Sequence, residues 1–62
     1  MKSKEVIVSN LLATLYELQN NKDLEKNKGL ESYLRGKLNA LNDLLDDEDI
    51  DESYYEQLEE YL

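Results

Sequence analysis

Apolar residues in the first third of the chain recur at helical spacing. They stand at intervals of 3, 4 and 3 residues, at Val8, Leu11, Leu15 and Leu18. This spacing places them on one face of an α-helix, which Leu12 widens. Ser3 can cap the helix, because a serine oxygen accepts a hydrogen bond from the first turn. Asn20 and Asn21 favour a turn, so the pattern predicts a helix over about residues 4–20.

A second and stronger stripe follows Gly29. Its members are spaced at 4, 4, 3 and 4 residues, at Leu30, Leu34, Leu38, Leu41 and Leu45. We expect a helix over about residues 30–46, with Tyr33 and Leu44 broadening its buried face. Residues 20–29 have two interpretations, a loop or a short helical turn that Asp23 starts.

Gly36 lies inside the second stripe. A glycine within a helix costs up to about 1 kcal/mol relative to alanine. The position is either exposed and tolerant of that cost, or it is a close crossing with another helix.

A third, shorter stripe occupies the end of the chain. Ile50, Tyr54, Leu58 and either Tyr61 or Leu62 form its inner face, in a helix over about residues 50–61. Asp49 with Glu52, or Ser53 with Glu56, has the spacing of a capping box. Residues 1–62 are therefore predicted to form one all-α domain, a small helical hairpin or three-helix bundle with two longer helices and a short C-terminal one.

The size of the chain makes the fold marginal. For 62 residues, the gain from apolar burial and the entropic cost of ordering nearly cancel. The chain has no cysteine, so no disulfide adds stability, and no histidine, the commonest general base and imidazole metal ligand. Self-association or a partner would stabilise such a fold, and a homodimer is one expectation.

The composition indicates a cytoplasmic protein. The segment from Val6 to Leu15 faintly resembles a signal peptide, but Ser9 and Asn10 interrupt it and no cleavage site follows. No apolar run approaches the roughly 18 residues that span a bilayer, so no membrane association is expected. The frequent use of Lys and Asn is typical of an AT-rich bacterial or phage genome. We therefore expect the protein in the cytoplasm of a bacterial host cell.

Charge is divided unevenly along the chain. The net charge is −8: seven Lys and Arg against five acids up to Lys37 give +2, and ten acids with no base from Leu38 onward give −10. The stretch DDEDIDE, Asp46 to Glu52, places six carboxylates in seven residues. Acids stabilise the start of a helix and destabilise its end. Two or three of them would suffice to start the third helix, so a surplus remains.

Three chemical uses of the charged residues are disfavoured. Asp49, Asp51, Ser53 and Glu60 match calcium-loop positions, but Tyr54 stands where the loop needs glycine, so no metal site is expected. Paired carboxylates could catalyse glycoside hydrolysis, but so small a helical chain offers no deep cleft, and we expect no enzyme activity, no catalytic residue and no cofactor. The basic residues form only a loose cluster beside the acidic segment, so direct nucleic-acid binding is not expected; they are Lys22, Lys26, Lys28, Arg35 and Lys37.

The remaining interpretation is a binding surface for a basic protein groove. If residues 38–62 were wholly helical, their charges would be roughly 3.7 Å apart along the axis, near the 3.4 Å of phosphates on one DNA strand. In size and charge the chain resembles the small acidic proteins of phages and mobile elements that inhibit DNA-handling or defence enzymes by imitating nucleic acid. The resemblance implies an inhibitor of a nucleic-acid-binding or defence protein. The predicted partner-binding residues are Asp46, Asp47, Glu48, Asp49, Asp51, Glu52, Tyr55, Glu56, Glu59 and Glu60.

An alternative function uses the apolar stripes instead of the charge. In it the chain is a dimeric helical adaptor or regulator, or an antitoxin-like protein, whose leucines enter a partner's groove. Salt separates the two hypotheses, because charge-driven binding weakens as ionic strength rises and apolar contact persists.

Overall fold

The computed structural model describes residues 3–62, and this part of the chain is about 80% helical and contains no strand. Its α-helices are α1 (Lys4–Asn20), α2 (Lys28–Asp43) and α3 (Tyr55–Glu59). Single 3₁₀ turns lie at Lys22–Glu25, Asp47–Asp49 and Glu52–Tyr54. The predicted all-α class, with two longer helices and a short C-terminal helix, is confirmed. No helix within residues 3–62 has both the length and the apolar character needed to cross a membrane.

Helix α1 begins and ends at polar caps. The Ser3 hydroxyl accepts a hydrogen bond from the backbone N–H of Val6 at 3.4 Å, as its position predicts. At the other end, the Asn21 N–H donates to the Glu17 carbonyl at 2.9 Å. The one buried polar side chain of the helix, Thr14, donates its hydroxyl proton to the Asn10 carbonyl at 2.8 Å. Its burial therefore leaves no unsatisfied polar group.

The connection between α1 and α2 is a capped 3₁₀ turn. Of the two interpretations of residues 20–29, a loop or a short helical turn, the helical turn is therefore confirmed. The Asn21 side chain accepts from the Asp23 N–H at 3.0 Å, so Asn21 caps a turn that begins at Lys22 rather than at Asp23. Leu24 within it is buried. Asn27 then caps α2, accepting from the Leu30 N–H at 3.0 Å, and for this reason α2 begins at Lys28 rather than near residue 30.

Two apolar residues assigned to the buried face of α2 lie outside it. Tyr33 is 62% exposed and Leu44 is 64% exposed. Tyr33 precedes the buried Leu34 by one residue, about 100° around the helix, and so points outward. Since α2 ends at Asp43, Leu44 no longer follows the helical period. The prediction for both residues is wrong.

Gly36 is an exposed position. A side-chain carbon placed there would have no atom within 4 Å beyond its chain neighbours and the backbone of its own helix, so no other helix crosses closely at this point. The tolerated-position explanation is confirmed, and the close-crossing explanation is wrong.

A single apolar core joins all parts of the fold. Helix α3 and the turns before it contribute Ile50 and Leu58 to this core, with Tyr54 and Tyr61 half-buried against it. Leu62 is 44% exposed, so Tyr61 rather than Leu62 completes the third stripe. Within residues 3–62 the buried apolar side chains are Leu11, Leu15, Leu18, Leu24, Leu34, Leu38, Ile50 and Leu58.

Truncating Leu38, which is wholly buried, should strongly destabilise the protein. We expect Leu38→Ala to lower the free energy of unfolding by about 2–5 kcal/mol, because the cavity adds to the lost burial. Leu44→Ala, the same change at an exposed position, should alter it by no more than about 0.5 kcal/mol. Urea unfolding followed by far-ultraviolet circular dichroism measures both. Equal effects of the two substitutions would contradict the assigned core.

Candidate partner-binding surface

The acidic segment is divided into short helical elements rather than forming one continuous helix. Helix α2 stops at Asp43, two 3₁₀ turns follow, and α3 is five residues long. The condition that residues 38–62 be wholly helical is therefore not met. The carboxylates lie on several short elements, so the regular spacing that one continuous helix would give them is absent.

The first acidic turn, Asp47–Asp49, is stabilised by the carboxylate of its last residue. The Asp46 N–H donates to Asp49 Oδ2 at 2.8 Å, and the Asp49 N–H donates to the Asp46 carbonyl at 2.9 Å. This pairing of Asp46 with Asp49 lies three residues before the predicted pairing of Asp49 with Glu52, which is wrong because Asp51, not Asp49, caps the turn that begins at Glu52. The hydrogen bond from Asp46 lowers the pKa of Asp49, and the neighbouring Lys4 ammonium lowers it further.

The second acidic turn uses Asp51 in the same way. Its carboxylate accepts a hydrogen bond from the Ser53 N–H at 3.0 Å, and this bond lowers the pKa of Asp51. The turn leads directly into α3, whose first residues follow without a side-chain cap. The alternative capping box, Ser53 with Glu56, is therefore also wrong.

Lys4 connects the start of α1 to the first acidic turn. Its Nζ lies 3.5 Å from Asp46 Oδ2 and 3.2 Å from Asp49 Oδ2. The hydrogen bond to Asp49 and the charge of both carboxylates raise the pKa of Lys4. Asp46 is well exposed and Asp49 half-buried, so both lie at the surface but share one cation.

Polar contacts hold α3 against the two longer helices. The Gln19 side chain of α1 donates to the Gln57 side chain at 2.7 Å. Arg35 of α2 donates from Nε to the Tyr61 carbonyl at 3.2 Å. These contacts fix the orientation of α3, and hence the direction in which its acids project.

Tyr55 is half-buried among the acids. Its hydroxyl donates to the backbone carbonyl of Asp47. Partial burial, together with the charges of Asp47 and Glu52, raises the pKa of Tyr55 above its usual 10.0. Tyr55, one of the predicted partner-binding residues, is thus half-buried, as are Tyr54 and Tyr61.

Most of the acids have no structural partner. Of the ten after Leu38, Asp46, Asp49 and Asp51 make the contacts described above. The other seven are exposed, and within residues 3–62 their carboxylates make neither a hydrogen bond nor an ion pair. Asp43, at the end of α2, was not among the predicted binding residues, although its position beside the acidic stretch could have indicated it. The seven are Asp43, Asp47, Glu48, Glu52, Glu56, Glu59 and Glu60, and we call them the acidic surface.

The chemistry available on the acidic surface is that of hydrogen-bond acceptors with full negative charge. Ionised carboxylates bind Arg and Lys side chains through short, charge-assisted hydrogen bonds. In the part of the chain that the structure describes, no group of three or more acids is arranged to hold a metal ion. Comparisons with protein families, with curated proteins and with solved structures give no match.

The carboxylate of Asp49 should make stability depend on pH in the acid range. Because its pKa in the folded protein is lower than its ordinary 3.8, its contribution is complete above that value and is lost as the pH falls through the folded pKa. Asp49→Asn should therefore reduce the loss of stability that the wild-type protein shows on acidification. Urea unfolding at a series of pH values measures this.

The control is Asp23→Asn. Within residues 3–62 the Asp23 carboxylate makes no hydrogen bond or ion pair, so this variant should keep the acid dependence of the wild-type protein. If both variants respond to acid alike, the proposed role of Asp49 is wrong.

Proposed function

We propose that the chain is a non-enzymatic binding protein whose acidic surface engages a basic surface of another protein. The observation that supports this is the set of seven exposed carboxylates, which the fold does not use for capping or pairing. Carboxylates required only to build the turns would be engaged, as Asp49 and Asp51 are. The surplus is available to a partner.

The distribution of charge favours association with cationic proteins. From Leu38 onward the charge is −10, and the net charge of the whole chain is −8. A field of this size increases the rate of encounter with a basic groove and opposes approach to nucleic acid or to anionic lipid. The same field requires the partner to carry an excess of Lys and Arg at its contact site.

The partner class that fits best is a nucleic-acid-binding or defence protein of the bacterial cytoplasm, inhibited by a phage-encoded chain. The groove of such a protein holds phosphates through Lys and Arg, and carboxylates accept the same charge-assisted hydrogen bonds. Because the acids lie on turns and a short helix rather than on one continuous helix, the imitation is of a charged surface rather than of an extended strand.

The alternative, an adaptor or antitoxin-like protein that binds through leucine stripes, has less support. The stripe residues Leu11, Leu15 and Leu18 of α1 and Leu34 and Leu38 of α2 are buried in the core of the single chain. A partner could reach them only if the helices separated. A dimer formed through other residues remains a prediction.

A capture experiment tests the proposed function. The immobilised protein is exposed to a bacterial lysate and eluted in parallel with duplex DNA and with salt, and the eluates are identified by mass spectrometry. We expect one DNA-binding or nuclease protein in both eluates, because phosphate and added ions compete for the same basic groove. A partner that resists both eluants would contradict the proposal and favour apolar contact.

Two matched triple variants locate the contact. Asp47→Asn, Glu52→Gln and Glu56→Gln together should abolish capture, because they remove three charges from the acidic surface. The control removes the same number and type of charges elsewhere, through Asp23→Asn, Glu17→Gln and Glu25→Gln, all at exposed positions. It should capture the partner as the wild-type protein does. Equal loss in both variants would indicate a response to net charge rather than to this surface.

A further inference from the structure

An apolar groove adjoins the acidic surface. It is a shallow depression between the first half of α1 and the Asp47–Asp49 turn, with a volume of about 590 Å³, and is largely open to solvent. Val8 and Leu12 line it from α1, and both are half-buried. They are four residues apart, so the apolar lining extends about 6 Å along the helix. This length suits one or two aliphatic side chains.

The edge of the groove is negatively charged. Glu5, Glu48 and Asp49 line it together with Lys4, so three carboxylates face one ammonium and the local balance is −2. Lys4 is directed to the first acidic turn, where it pairs with Asp49. Glu5 and Glu48 are exposed, and they flank the apolar lining with charge that a basic side chain would neutralise.

The charge of the chain decides between a second copy and a different protein as the occupant. Two copies would each bring a net charge of −8, and their mutual repulsion opposes a contact at an acidic edge. A partner segment with positive charge gains attraction at the same place. Charge complementarity therefore favours a basic occupant.

We infer that this groove binds a basic amphipathic segment of the partner, in which an aliphatic side chain is flanked by Lys or Arg. The aliphatic side chain contacts Val8 and Leu12, and the flanking bases contact Glu5 and Glu48. This inference rests on the proposed function and specifies the chemistry of the partner. It differs from imitation of nucleic acid, because a row of phosphates has no apolar counterpart to these two side chains.

The test compares two lysine-rich peptides of equal length and charge, labelled for fluorescence anisotropy. One carries two leucines a helical turn apart, and the other carries serines in their place. We expect the leucine peptide to bind the wild-type protein about tenfold more tightly at about 0.15 M salt, as burial of an aliphatic side chain allows. At about 1 M salt both peptides should bind more weakly while this ratio stays near tenfold, because screening weakens only the electrostatic part that the two peptides share.

Val8→Thr identifies the groove as the site, and Val6→Thr is its control. Both changes replace a β-branched side chain by another of similar shape on α1, but Val6 is 45% exposed and does not line the groove. Val8→Thr should weaken binding of the leucine peptide about threefold and leave the serine peptide unaffected. Val6→Thr should change neither.

Methyl chemical shifts of Val8 and Leu12 in the wild-type protein, followed during peptide titration, give a second measure that does not depend on a variant folding. These chemical shifts should change when the leucine peptide is added and remain unchanged when the serine peptide is added.

The outcomes separate this inference from the proposed function. Equal affinity for the two peptides would overturn the groove and leave binding by the acidic surface intact. If the leucine peptide still binds the Val8→Thr variant more tightly than the serine peptide, by the same factor as in the wild-type protein, the groove is not the site that binds the leucines. If neither peptide binds, both the groove and the basic-partner proposal are wrong.

Discussion

Burial of leucine side chains between α1 and α2 determines where the rest of the chain lies. With neither cysteine nor histidine available, the fold has no disulfide and no imidazole-bound metal to hold it. The connecting turn contributes Leu24 to this core, and the acidic third contributes Ile50 and Leu58, with Tyr54, Tyr55 and Tyr61 half-buried against it. The acidic third therefore packs on a two-helix core, and most side chains of this third face away from the core.

Acidic side chains in this third of the chain have two different roles. The chain has no proline, and its last glycine is Gly36, so the acidic turns depend on Asp, which forms turns through its side-chain oxygens. Asp49 and Asp51 take over that role by accepting hydrogen bonds from backbone N–H groups. The cluster of carboxylates is therefore partly turn chemistry, and only the remainder requires a functional explanation.

Helical spacing made the helices and most of the core predictable, because burial of a stripe depends on residues three and four apart. Features that depend on distant residues were not predictable. The pairing of Lys4 with Asp46 and Asp49 joins residues more than 40 positions apart, and no local pattern indicates it. The predicted ends of α2 were wrong because helix ends depend on capping contacts rather than on spacing. Asn27 caps α2 before the predicted start, and the end at Asp43 leaves Leu44 exposed. At the candidate site, the sequence located the acids but could not distinguish the engaged from the unengaged ones.

The charge that favours a partner also opposes the fold. Ten acids without a base between them repel one another, and within residues 3–62 Lys4 is the only cation from elsewhere in the chain that pairs with any of them. The proposed basic partner would relieve this repulsion, so part of the binding free energy would come from removing the electrostatic repulsion between carboxylates of the free chain. By linkage, any partner that binds only the folded form must also stabilise it. The acidic surface would therefore couple binding of the proposed basic partner to the stability of the fold, and the apolar groove beside the acids would add selectivity for the partner segment rather than replace the charge attraction.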